Sequence, residues 1–234
     1  MSEAPAGRRL AAWGVHLLTA SGAPAGLLAI LAIERGEAAR AFAWMAYTLA
    51  VDSFDGALAR AVGVKRVLPF FDGTRLDDIV DYFTYVIVPA LFLLRMDLLP
   101  AAVALPVALC PVVASAYGFC RTDAKTADHY FTGFPSYWNI VAFYLYTLGW
   151  PLALNAAVVV ALSVAVFVPL RYIYPSRTPV LRPLTVTLGL VWGAAVLWAL
   201  AHLGSAPRTL VAVSLAFPVY YVGLSIALQA RRAS

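Results

Sequence analysis

The chain has 234 residues, is 62% hydrophobic and only 12% charged, and has a mean hydropathy of +0.81. Soluble domains carry about 25% charged residues, so the composition excludes an ordinary soluble domain and indicates a membrane protein. The net charge of +5 suits anionic lipid at a membrane surface and does not argue for a nucleic-acid partner.

A spanning helix needs about 20 mostly apolar residues. In chain order, eight stretches read as spans: Leu10–Ile33, Ala41–Ala59, Leu76–Leu94, Leu98–Phe119, Ser136–Trp150, Pro151–Leu170, Pro183–His202 and Leu210–Gln229. The fifth is short, and merging it with the sixth across Trp150-Pro151 would leave seven. Barrel strands alternate apolar and polar residues, and these runs do not. The expected fold is therefore all-α: a polytopic membrane helix bundle of about eight transmembrane helices, forming one domain over residues 1–234. With eight spans, one side of the membrane receives only Arg35, Arg40, Arg95 and Arg208 of the 17 basic residues. The positive-inside rule then puts both termini in the cytoplasm. Arg8-Arg9 before an apolar run imitates a secretory signal. The run is too long for that, and the topology works only if it is retained. Cys110 and Cys120 lie about 15 Å apart along one predicted helix, too far to bridge, and read as two buried apolar thiols.

Of the 12 acidic residues, Asp52, Asp55, Asp72, Asp77, Asp78 and Asp81 lie within Val51–Tyr82. At about 100° per residue, Asp52, Asp55, Gly56, Ala59 and Arg60 share one face of the second span. Gly73, Asp77 and Asp81 share a face of the third. Asp78 points roughly 100° away from Asp77, and Asp72 precedes the helix. Carboxylates inside a membrane are expensive unless paired or bound to a cation. Four converging ones repel one another and predict a divalent ion, with two favoured over one. Oxygen-only ligands suit Mg²⁺ or Mn²⁺ rather than zinc. Two such ions can clamp a phosphate, Arg60 can hold a phosphate oxygen, and Gly56 and Ala59 let a substrate or a neighbouring helix come close.

The pattern Asp52-x2-Asp55-Gly56-x2-Ala59-Arg60 followed by Gly73-x3-Asp77-x3-Asp81 resembles the signature of the CDP-alcohol phosphotransferases, integral membrane enzymes of phospholipid synthesis. The spacer Ala61–Asp72 is longer than in most of that family, and the spans are more numerous. Both features, with FFDGTRLDDIVDYFTYVIVPA and SAYGFCRTDAKTADHYFTGFPSYWNI, resemble its bacterial phosphatidylcholine synthase branch. The resemblance implies CDP-diacylglycerol and choline as substrates. It also implies two Mn²⁺ or Mg²⁺ ions, a homodimer, and a multi-pass protein of the bacterial inner membrane with its active site facing the cytoplasm. By motif position Asp52, Asp55 and Asp77 look like metal ligands, and Asp81 like a ligand that doubles as the catalytic base. Gly56, Ala59 and Gly73 would line the cytidine and pyrophosphate pocket, and Arg60 would bind phosphate.

The spacer reads either as an interfacial segment, with Lys65 and Arg66 near lipid phosphates, or as a mere connection. Aromatic faces hold quaternary ammonium groups, which makes Tyr82, Tyr117, Tyr137 and Trp138 candidates for choline contact; interfacial aromatic belts explain such clusters equally. In the loop after the fourth span, Arg121 and Lys125 are candidates for the lipid phosphate, beside Asp123, Asp128 and His129. His16 and His202 read as packing residues, and Arg171, Arg177 and Arg182 as topological charge. An intramembrane prenyltransferase also uses Asp-rich motifs, but in separate halves of its chain. A cation transporter would place its acids nearer the membrane midplane, often among repeats. The metal motif is silent on the acceptor, which leaves serine, inositol phosphate and glycerol phosphate as alternatives to choline.

Overall fold

The apolar runs fold as helices, and the polar breaks between them set the connections. The computed structural model describes residues 5–123, 130–174 and 178–233. The first run is broken at Ser21 into α1 (Ala6–Ala20) and α2 (Gly22–Glu34). Together they provide a 29-residue apolar span. Next come α3 (Ala38–Val62) and a single turn, α4 (Val64–Val67). The third span starts at Gly73, three residues before the apolar stretch begins, because the Asp72 carboxylate caps α5 (Gly73–Tyr82) by accepting from the Thr74 and Arg75 amides at 3.1 Å. The helix passes through a π-helical turn, Phe83–Ile87, into α6 (Val88–Arg95). Pro89 has no amide proton and would clash with the carbonyl four residues earlier, so a widened turn relieves the strain just ahead of it.

A 3₁₀ turn leads into α7 (Ala104–Cys120). The fifth and sixth spans are separate helices, α8 (Trp138–Leu148) and α9 (Leu152–Phe167). Gly149 ends the former in the left-handed region (φ 61°), and Pro151 precedes the latter. One kinked helix is thereby excluded. The chain ends in α10 (Arg182–Ala201), α11 (Arg208–Ser214) and α12 (Ala216–Ala233). Among the described residues, four helical stretches can cross a membrane by length and apolar composition: Ala6–Glu34, Ala101–Cys120, Arg182–Ala201 and Arg208–Ala230. The two shorter apolar helices α8 and α9 accompany them. The protein is a mostly helical, polytopic membrane protein.

The all-α expectation needs one correction. β1 (Tyr130–Thr132) pairs antiparallel with β2 (Arg171–Ile173), in the register Tyr130 to Ile173 and Thr132 to Arg171. This ribbon ties the segment before α8 to the one after α9. The cysteines need another: Cys110 is half-buried and Cys120 exposed, both as free thiols. The core centres on Phe42, Phe92, Phe143 and Tyr146, with the Phe42 and Phe92 rings 4.6 Å apart. The helices α1 and α2 pack on α3, and α1 also meets α5. That last contact brings three helices to one site.

Candidate active site

The shared faces read from the sequence do meet. One oxygen each from Asp52, Asp55 and Asp77 gather within 4.8 Å of one another. Asp55 is buried, and Asp52 and Asp77 are half-buried. Two hydroxyls from outside the signature orient this cluster. Thr19 on α1 donates to Asp55 Oδ2 at 2.6 Å, and Tyr85 in the π turn donates to Asp52 Oδ2 at 3.0 Å. An all-oxygen set, converging and held from behind, fits a hard divalent cation. Asp81 stands outside the trio, one turn further along α5 and within electrostatic reach of Tyr85.

A cavity of about 550 Å³ opens beside the carboxylates. Asp55, Gly56, Ala59 and Arg60 on α3 and Gly73 and Asp77 on α5 all line it. Lys65 and Arg66 add two more positive groups from the spacer. The spacer is more than a tether: Val64 and Leu68 are buried against Ala12 and Val15 of α1. Gly73 has a specific reason to be glycine. A Cβ there would stand 2.6 Å from Cε1 of His16. That imidazole is buried, packs 4.4 Å from the Phe71 ring, and lines the cavity.

The remaining expected site residues are dispersed. Arg121 forms a double hydrogen bond to Asp123 at 2.8 and 2.7 Å and lies over the Tyr117 ring. The same bonds hold the Asp123 carboxyl below the usual carboxylate range. Tyr82 donates to the Val112 carbonyl at 3.0 Å, and Tyr117 lies against Phe167. Trp138 is fully buried and donates from its indole to Ser115. Tyr137 comes within electrostatic reach of Asp52 and Asp81. Lys125, Asp128, His129 and Arg177 lie outside the described residues. Sequence reasoning missed Thr19 altogether and took His16 for packing alone. The available signal was their polarity within an apolar run, three residues apart on α1.

A membrane-embedded helical protein whose carboxylate cluster could hold a metal ion, beside a cavity of about 550 Å³ with basic residues in its wall, has the features of an integral-membrane enzyme acting on phosphorylated substrates. No family model matches the chain, but relatives are informative. It is 40% identical to the phosphatidylcholine synthase of Legionella pneumophila over 222 residues, 92% of this chain and 87% of the relative. Identity is again 40% with that of Pseudomonas aeruginosa, covering 77% of this chain and 76% of the relative. With that of Bradyrhizobium diazoefficiens it is 40% over 82% and 72%. The chain belongs to the phosphatidylcholine synthase family, within the CDP-alcohol phosphotransferases.

Proposed function

We infer that this chain transfers the phosphatidyl group of CDP-diacylglycerol to choline and releases CMP, as a CDP-diacylglycerol–choline O-phosphatidyltransferase. The observation that carries the site assignment is the convergence of Asp52, Asp55 and Asp77 beside a cavity lined by Arg60, Lys65 and Arg66. Asp52, Asp55 and Asp77, with Asp81 beside them, hold two Mn²⁺ or Mg²⁺ ions in this reading. When bound, such ions neutralise pyrophosphate charge and polarise the phosphorus.

The protein's own groups do the rest. Arg60, Lys65 and Arg66 hold phosphate oxygens. Gly56, Ala59 and Gly73 leave room for the cytidine and pyrophosphate. Asp81 takes the proton from the choline hydroxyl as that oxygen attacks the phosphorus bearing diacylglycerol. The bond from this phosphorus to the CMP oxygen breaks, and CMP leaves with the electron pair. Thr19 and Tyr85 keep two carboxylates from swinging away. Arg121 meets a lipid phosphate only by exchanging Asp123 for it.

The eight-span topology, with both termini and the site on the cytoplasmic face of a bacterial inner membrane, follows from the distribution of basic residues. A homodimer accompanies it. The outward residues Leu190, Val191 and Leu197 of α10 are exposed, which suits contact with lipid or with a second copy.

The test is turnover by purified protein in mixed micelles with CDP-diacylglycerol and Mn²⁺, offering labelled choline, serine, inositol phosphate and glycerol phosphate separately. CMP release with label entering lipid from choline alone is expected, and Asp77→Asn should abolish it in a folded protein. Full activity of Asp77→Asn would refute the role of the carboxylates, and transfer to another acceptor would refute choline.

A further inference from the structure

The cavity beside the carboxylates holds one polar group that the phosphate and metal chemistry leaves unused. Three buried side-chain atoms among the described residues lack a hydrogen-bond partner: His16 Nε2, Asn155 Oδ1 and the Tyr221 hydroxyl. Of these residues, His16 alone lines this cavity. We propose that its imidazole hydrogen-bonds the base edge of the cytidine nucleotide, which makes His16 a specificity-determining residue for the nucleotide half of the lipid substrate. This rests on the reading that the chain uses CDP-diacylglycerol.

The orientation of the ring comes first. A Cβ on Gly73 would stand 2.6 Å from Cε1, 3.1 Å from Nδ1 and 3.7 Å from Nε2 of His16. Cε1 lies between the two nitrogens, so the nitrogen-bearing edge is turned to Gly73, which lines the same cavity. Glycine there keeps that edge uncovered by a side chain. Phe71 at 4.4 Å and Trp13 at 5.9 Å between ring centres hold the imidazole in place. A buried polar atom without a partner is costly unless a ligand meets it.

The distance to the reacting centre fits a nucleotide. His16 and Thr19 are three residues apart on α1, about 4.5 Å along its axis, and the Thr19 hydroxyl reaches Asp55 at 2.6 Å. Gly73 and Asp77 are likewise about one turn apart on α5. The two helices pack together and set the His16 edge one turn from the carboxylates. A nucleotide has the same order, with its base at one end and its phosphate at the other.

Chemistry selects the base over the phosphate. The cations come from other elements: Arg60 Nη1 lies 3.4 Å from where a Cβ of Gly56 would stand, and Arg66 Nη2 3.4 Å from that of Gly63, at the end of α3. His16 stands apart from them on α1, beside Phe71, which also lines the cavity. A neutral imidazole offers one N–H and one lone pair. The cytosine edge carries the 4-amino donor and the N3 and O2 acceptors, so it can meet either. The Phe71 ring suits a flat base, since every base has a face to lay on an aromatic ring. Uracil reverses donor and acceptor along the same edge, so a contact made to cytosine is lost or opposed.

The test uses the full chain in mixed micelles with CDP-diacylglycerol, choline and Mn²⁺, and three inhibitors: CMP, UMP and ribose 5-phosphate. His16→Phe keeps an aromatic ring but removes both nitrogens. It should weaken inhibition by CMP and raise the KM for CDP-diacylglycerol, each roughly 5- to 30-fold. The preference for CMP over UMP should shrink by a similar factor, while inhibition by ribose 5-phosphate and the KM for choline stay the same. His16→Asn, which restores a donor and an acceptor, should recover part of the preference. Melting in detergent checks that each variant is folded; His16→Leu replaces His16→Phe if that one is not. Unchanged CMP inhibition with an unchanged preference for CMP over UMP would overturn the proposal. An equal loss for CMP, UMP and ribose 5-phosphate would also overturn it, because His16 would then serve the sugar, the phosphate or the scaffold. The reading beneath it fails differently: the unmodified protein would release no CMP from CDP-diacylglycerol.

Discussion

Gly73→Ala tests how the site is held together. The new Cβ would stand 2.6 Å from His16 Cε1 and 3.1 Å from Nδ1, whereas ordinary contact begins at 3.4 Å. The ring has little freedom to yield. It is 6% exposed, with Phe71 at 4.4 Å and Trp13 at 5.9 Å between ring centres. Overpacking of this kind costs about 1–3 kcal/mol. Alanine returns at most about 1 kcal/mol as a better helix former, so the net effect is destabilising. At about 2–4 °C per kcal/mol for a chain of this size, a melting point in detergent should fall by a few degrees. Turnover should fall further, because the clash pushes α1 from α5 and these helices carry Thr19 and Asp77. The assay is thermal melting and CMP release for Gly73→Ala, His16→Ala and the double variant. Removing the ring removes the clash, so the double variant should be more stable than the sum of the single effects implies. Strict additivity, or a Gly73→Ala protein that melts like the original, would refute this account of the glycine.

Two further substitutions separate the site from the scaffold. Thr19→Val keeps the side chain's shape but removes the hydroxyl that holds Asp55. The Mn²⁺ concentration for half-maximal turnover should rise roughly 10- to 100-fold, with much of the rate recovered at saturating metal; an unchanged Mn²⁺ dependence would count against the orienting role. Asn155→Leu removes the Nδ2 donor to the Leu98 carbonyl at 2.9 Å, in a position 1% exposed. It should cost about 1–3 kcal/mol and lower the melting temperature, while both KM values stay the same; a selective change in either would place Asn155 closer to the chemistry than its contacts do.

Helical periodicity made the carboxylates legible, because spacings of three and four residues fix a face wherever the helix is placed. The meeting of Asp52, Asp55 and Asp77 follows once α1 packs on both α3 and α5. Thr19 was illegible for the opposite reason: a single hydroxyl in an apolar run has no periodic signal, and its value comes only from α1 crossing α3. The ribbon escaped because each strand has three residues and the strands lie some forty positions apart in the chain, with nothing local to pair them. This asymmetry has a functional counterpart. In the proposed reading, the signature residues that line the basic cavity serve phosphate and metal chemistry, which a whole family of acceptor alcohols can share. Tyr172 and Tyr221 come from segments outside the signature and stack where the ribbon meets α12. A motif confined to two helices can therefore state the reaction while remaining silent on the acceptor.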